Sequence, residues 1–244
     1  MTRTEPVFRS DVDVHLLDHM GDENSIVRRA RVSTGGPGSS DRNNPGDELT
    51  AADKGLIRML FREKHGVPFE GVEFEFYFRV PVFVSRQIVK HRLSSVNEES
   101  GRYRELQGEF YIVPDDRKIE QIGKTGSYQF KESDPDLVTK LQEMQIKEST
   151  EAWNAYQDKL DMGIAKEVAR QTLPVNIYSS MYYKTNLRSA LNFLSLRKEW
   201  GDASLYPSHP QYEISLVADR MADLIKEIVP NVYDVFIESG MRPV

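Results

Sequence analysis

The sequence predicts an α+β protein: a single domain with an antiparallel β-sheet flanked by helices. Three observations carry this. Residues 72–80, VEFEFYFRV, alternate apolar and polar side chains with a period of two, the pattern of a half-buried antiparallel strand. Several other segments carry apolar residues at spacings of three and four, the helical period. No linker divides the 244 residues into two hydrophobic cores, and a chain of this length can bury a core without staples.

Taken in order, residues 23–32 read as a short helix with Ile26, Val27 and Ala30 spaced for burial. Residues 33–48, STGGPGSSDRNNPGDE, hold too little apolar surface to order themselves and read as a mobile loop, a linker or a lid. Thr50 opens a helix to about Lys64, with Leu56, Ile57, Leu60 and Phe61 as its buried stripe. In the strand, Val72, Phe74, Phe76, Phe78 and Val80 share one face. Pro81 suits a first helical turn, and VFVSRQIVKH continues it with Val84, Ile88 and His91 on one side. LSSVNEESG reads as loop and GEFYIVP as a second strand. Asp134-Pro135 starts a long helix to about Met162, closed by Gly163, and IAKEVARQTLP is a short helix stopped by Pro174. Residues 176–185, NIYSSMYYKT, read as a strand. Asn186 is placed to cap LRSALNFLSLRK, and a last helix runs from about Gln211 to Ile228.

Composition excludes whole classes of chemistry. With no cysteine, there is no disulfide, thiolate metal site or thiolate nucleophile. The net charge of −6 opposes general nucleic-acid affinity. No secretory h-region and no span of about 20 apolar residues is present, so a cytoplasmic protein without membrane attachment is expected. The five histidines show no metal-ligand spacing, and no metal is expected. IGKTGS lacks the upstream glycine of a phosphate-binding loop, GGPG follows no strand, and no GxSxG elbow occurs.

Residues 86–103, RQIVKHRLSSVNEESGRY, mix cations with Ser, Asn and Glu. Residue type leaves two readings open, a solvated helix end or an anion pocket in which cations supply charge and hydroxyls geometry. Gly101 would let backbone approach a ligand. In LRSALNFLSLRK, Leu187, Leu191 and Leu194 form the buried stripe while Arg188 and Asn192 share another face. That face is either plain surface or a reader of a heterocycle edge. Arg170 is a further candidate cation, and His65 lies in the turn before the strand.

KHRLSSVNEESGRY resembles the signature of the flavin-dependent thymidylate synthases, RHR followed by seven residues and Ser, with Lys90, His91, Arg92 and Ser100 in register. The resemblance extends upstream through HGVPFEGVEFEFYFRVPVFVSRQ and downstream through ARQTLP and TNLRSALNFLSLR. It implies reductive methylation of dUMP to dTMP, with methylenetetrahydrofolate as carbon donor and FAD reduced by NADPH. It also implies a homotetramer with sites shared between subunits. The missing cysteine fits, since the classical synthases attack the pyrimidine with a thiolate. Carried over by position, Gln87, Ile88, Val89, Lys90, Glu98, Glu99, Ser100, Gly101, Arg102 and Arg170 would bind dUMP. Arg102 and the Ser100–Gly101 region would lie near its phosphate. Arg197 matches the catalytic arginine that polarises the uracil ring. For FAD the matches are Ser33, His65, Val67, Lys90, His91, Arg92, Leu93, Glu98, Asn186, Leu187, Arg188 and Asn192. Three positions depart from the pattern. Lys90 replaces an arginine and loses its planar fork, Val67 replaces a hydroxyl residue, and Gly71 stands where PFEH has His. Ser100 has no base near it in sequence except His91, so it is assigned to binding. The rival readings are a homologue that binds flavin and nucleotide without turnover, and a nucleic-acid-binding module.

Overall fold

The computed structural model describes residues 3–32, 35, 43–124, 127–205 and 207–244. In chain order the elements begin β1 (Val7–Arg9), β2 (Asp13–Met20), α1 (Glu23–Arg31), α2 (Ala51–Arg62), β3 (Glu73–Pro81), α3 (Val82–Ile88) and β4 (Ser94–Glu98). There follow β5 (Glu109–Tyr111), β6 (Glu120–Lys124), β7 (Ser127–Lys131), α4 (Pro135–Asp161) and α5 (Lys166–Ala169). The chain ends with β8 (Tyr178–Asn186), α6 (Leu187–Arg197), α7 (Tyr212–Ile228) and α8 (Pro230–Glu238). This is the α+β class expected from the sequence, an antiparallel sheet with helices. Among the described residues no helix is long and apolar enough to cross a membrane.

Contacts group the chain into two compact units. One comprises Asp13–Phe78, Ile88–Asn97 and Tyr182–Val244. Its strands belong to a four-stranded sheet ordered β2-β3-β8-β4. On β3 the period-two expectation holds: Phe74, Phe76 and Phe78 are at most 1% exposed. Their rings follow one another at 5.9 and 5.8 Å, and Phe78 meets Tyr183 of β8 at 5.4 Å. On the opposite face Tyr77 contacts His15 and Tyr182. Helix starts follow local chemistry. Asp22 caps α1, Thr50 caps α2 in a reciprocal box with Asp53, and the Asn186 side chain accepts the Ser189 N–H at 2.9 Å to start α6. Glu23, buried, takes the N–H of Val232 at 2.7 Å and the Asn231 amide at 2.7 Å, tying α1 to the first turn of α8.

The other unit comprises Met1–Val12, Arg79–Gln87 and Glu98–Met181. Here β1 pairs with β5 in parallel and β6 with β7 antiparallel. The long α4, capped by Asp134 and followed by Gly163 at φ +79°, sets Trp153 and Tyr156 against Phe110, Ala169 and Ile177. Gly108 has no side chain because the Trp153 ring lies there; a Cβ would come within 2.5 Å of it.

Several expectations change. Pro81 ends β3 rather than opening a helix, and α3 stops at Ile88, so His91 lies beyond it and not on its face. LSSVNEESG is not all loop, because Ser94–Glu98 forms strand β4 beside β8. Polar side chains do not prevent pairing when a neighbouring strand offers its backbone groups. Strands β1, β2, β6 and β7 and helix α8 had no expectation. Of the 33–48 loop, 33, 34 and 36–42 lie outside the described residues. Its far end is tied down: Asn43 accepts from Arg31 at 2.7 Å, and Gly46 N–H donates to Asp22 at 2.8 Å.

Two stability outcomes follow. Phe76→Ala removes a fully buried ring from the β3 ladder and should lower unfolding free energy by about 3–5 kcal/mol in denaturant titration. Asn186→Ala removes one cap and should cost about 1 kcal/mol.

Candidate active site

The unit containing β2 carries a cleft of about 760 Å³, built from two segments. After α3, the chain turns as His91 N–H reaches the Ile88 carbonyl at 3.1 Å. The carbonyls of His91 and Leu93 are then held by the hydroxyls of Ser94 (2.6 Å) and Thr185 (3.1 Å). With its backbone pinned, the segment contributes Lys90, His91, Arg92 and Leu93 to the cleft. The second wall is α6. Leu187, Leu191 and Leu194 bury one stripe, so the rest of the helix offers Arg188, Ser189, Asn192, Leu196 and Arg197. Pro243 and Val244 complete the lining.

The lining holds four cations, Lys90, Arg92, Arg188 and Arg197, and among the described residues no Asp or Glu side chain. In a protein of net charge −6 that local reversal of sign gives the cleft a potential that attracts anions. Arg188 is positioned by Glu70 at 2.7 Å and the Val244 carbonyl at 3.2 Å. Gly66 leaves it room: a Cβ there would lie 2.6 Å from Arg188 Nε. Arg197 is half-buried and donates from Nε to His91 Nε2 at 3.2 Å. It forms no ion pair among the described residues, and burial lowers its pKa. The His91 ring packs on Phe193 with centroids 4.6 Å apart. Burial first, and the Arg197 charge second, push its pKa down to about 4. His91 is therefore neutral, with Nε2 accepting and the proton on Nδ1. The unfolded chain binds this proton near pH 6.5 and the native state near 4. The contribution to stability is thus full above 6.5 and declines as pH falls towards 4. Ser189 Oγ is buried with no hydrogen-bond partner among the described residues.

The other unit holds the Glu98–Arg102 segment. Gly101 is buried, and a Cβ there would lie 2.9 Å from Arg170 Cδ, so Gly101 and Arg170 are in contact. Arg102 pairs with Glu167 at 2.7 Å; both side chains are at least half exposed, so the pair is easily exchanged for another anion. Ser100 Oγ accepts the Arg102 N–H at 3.3 Å. Glu98 accepts from Ser85 at 3.4 Å, while Glu99 is held by the Ser180 N–H at 2.9 Å and by Arg79 at 3.7 Å. A cavity of about 470 Å³ in this unit, over Trp153 and Tyr156, is lined by groups that already satisfy one another. Trp153 donates to the Thr4 carbonyl, Leu106 N–H to the Tyr156 hydroxyl, and Arg3 pairs with Asp158.

Of the residues named from the sequence, Lys90, His91, Arg92, Leu93, Arg188, Asn192 and Arg197 meet in the one cleft. Ser100, Gly101, Arg102 and Arg170 fall together in the other unit. Ile88 and Leu187 are fully buried core side chains, which leaves them backbone atoms for any ligand. Asn186 spends its side chain on the helix cap. Gln87 is half-buried in the second unit; Val89 is exposed. His65 and Val67 are exposed on either side of Gly66, against which Arg188 lies. Ser33 lies outside the described residues. Sequence reasoning missed Ser189, Leu196, Pro243 and Val244. Leu196, four residues past Asn192, was readable from helical spacing; Pro243 and Val244 carry no local signal.

The family model described as thymidylate synthase complementing protein matches residues 15–231. The chain is 41% identical over 236 residues to the flavin-dependent thymidylate synthase of Tropheryma whipplei, covering 97% of this chain and 96% of that one. It is 40% identical over 240 residues to that of Streptomyces avermitilis, covering 97% and 95%. Among solved structures it is similar to a UMP/dUMP methylase, PolB, from Streptomyces cacaoi, bound with 5-Br UMP. The TM-score is 0.89 and the identity 36%, over 98% of this chain and 99% of that one. The same methylase bound with 5-Br dUMP gives a TM-score of 0.90. A match over most of the chain, with identities of this size, means that the chain belongs to the flavin-dependent thymidylate synthase family.

Proposed function

We propose that this chain is a flavin-dependent thymidylate synthase. It methylates dUMP to dTMP, with methylenetetrahydrofolate as carbon donor and FAD, reduced by NADPH, as hydride carrier. The observation that carries the reading is the cleft of four cations built by the two segments that also carry the family resemblance.

The cleft suits a flavin dinucleotide: Lys90, Arg92 and Arg188 match its anionic phosphates, and the exposed Asn192 amide offers hydrogen bonds. Leu93, Leu196 and Pro243 supply apolar wall. When bound, the flavin supplies the hydride. The chain's own residues supply charge and position. Arg197, carrying no counter-ion, stabilises the negative charge that develops on the uracil ring, which makes it the catalytic residue. Ser100, Gly101, Arg102 and Arg170 hold the nucleotide phosphate, Arg102 exchanging its exposed partner Glu167 for it. Gln87, Val89, Glu98 and Glu99 complete the dUMP contacts, and His65 and Val67 the flavin contacts. Lys90 keeps the charge of the signature arginine as a point charge rather than a fork. The active form is a cytoplasmic homotetramer with sites shared between subunits. Val67, Leu93 and Tyr103, 71, 76 and 80% exposed, are surface that a cofactor or a second copy would cover.

Purified protein should be yellow and should oxidise NADPH and form dTMP only with dUMP and methylenetetrahydrofolate present. Protein that stays colourless after reconstitution with FAD sinks the reading. Assaying UMP beside dUMP separates the two nucleotides named for the similar methylase, and dUMP should be the faster. Arg197→Ala should lower kcat about 10²–10³-fold with flavin retained; a fully active variant removes Arg197 from the mechanism. Gly66→Ala should push Arg188 away from Glu70 and weaken flavin affinity about tenfold, read by fluorescence titration.

A further inference from the structure

We infer that His91 is the positioning residue for Arg197. As a neutral acceptor it fixes the guanidinium through Nε, while leaving its full positive charge and its terminal nitrogens for an anion in the cleft. The identity of that anion, the uracil ring as charge develops on it, rests on the synthase reading; the pairing itself does not.

The geometry is specific. Phe193 and Arg197 are four residues apart on α6 and so lie one above the other. His91 meets both, packing its ring on Phe193 and accepting from Arg197 at 3.2 Å. The ring, held tilted at 55° against Phe193, sets the direction of the Nε2 lone pair, and that lone pair orients the guanidinium through Nε. Nε carries one of the five guanidinium N–H donors, so four remain on the terminal nitrogens. Among the described residues these make no hydrogen bond or ion pair.

Other arginines of this chain are held differently. Arg188 rests on Glu70, Arg102 on Glu167, Arg31 on Asp53, and Arg79 on Glu109. A carboxylate would orient Arg197 equally well but would cancel the charge that the site needs. A neutral imidazole orients without cancelling. Neutrality is secured first by burial of the ring and then by the positive charge of Arg197 itself, which opposes an imidazolium. The middle residue of the signature triplet thereby acts on the substrate through Arg197, in addition to lining the flavin cleft.

The test compares His91→Leu, His91→Gln and His91→Glu, alone and combined with Arg197→Ala, by kcat per bound flavin and KM for dUMP. His91→Leu should lower kcat about 10–100-fold with KM within about threefold, the scale of a misplaced catalytic group. His91→Gln, which restores a neutral acceptor, should recover most of that loss. His91→Glu, which holds the guanidinium but neutralises it, should stay as low as His91→Leu. In the Arg197→Ala background none of the three should lower kcat further. Loss of flavin with kcat per flavin unchanged, or an equal further loss without Arg197, overturns the inference. An activity-independent arm uses imidazole ¹⁵N NMR of the flavin-loaded protein. The wild type should show a protonated Nδ1 and a hydrogen-bonded, unprotonated Nε2, and Arg197→Leu should abolish that signature. A spectrum indifferent to Arg197→Leu refutes the pairing. The expected spectrum in a protein that forms no dTMP supports the pairing and refutes the synthase reading instead.

Discussion

The buried aromatic face of β3 is the constraint on which the rest depends. Phe74, Phe76 and Phe78 can leave water only if the strand lies with that face inward, and a slip of one residue would bury Glu73, Glu75 and Tyr77 instead. Neighbouring β8 packs Tyr183 against Phe78, which fixes where β8 ends and where the Asn186 cap starts α6. The same strand runs into α3, whose last residue, the fully buried Ile88, anchors the turn that presents Lys90 to Leu93. Both walls of the cleft are thus placed by one hydrophobic surface that does no chemistry.

Electrostatics then separates cations that hold structure from cations that remain free to act. Arg31 on buried Asp53 and Arg79 on Glu109 are committed to the fold. Arg188 is partly committed, oriented by Glu70 yet still lining the cleft. Arg197 is oriented by a neutral ring and keeps its charge. The cost of half-burying an uncompensated cation is met during folding by the packing around it.

Much was legible because its causes are local. Thr50, Asp134 and Asn186 are capping residues whose side chains reach an N–H two or three positions on, and each begins a helix where expected. The face of α6 carrying Arg188 and Asn192 followed from leucine spacing. The opposite failures share one cause. Ser94–Glu98 has a loop-like composition but pairs because β8 lies alongside it, and β1 pairs with β5 across some hundred residues with nothing in VFR to announce it. Pro81 reads as a helix start by its fixed φ, yet its missing N–H is equally tolerated at a strand's end.

The sequence by itself determined the class of the fold, most helix starts, the period of the central strand and the family to which the signature residues belong, because capping, periodicity and motif spacing act over a few residues. The tertiary structure decided which of those residues share a cleft, that Ile88 and Leu187 face the core while Lys90 and Arg188 line the cleft, and that Pro243 and Val244 close the wall. It also decided that the lone pair of His91 points at Arg197, 106 positions away. Charge neutrality at an imidazole and the freedom of a guanidinium depend on burial and on partners brought together by packing, and no local pattern of residues encodes either.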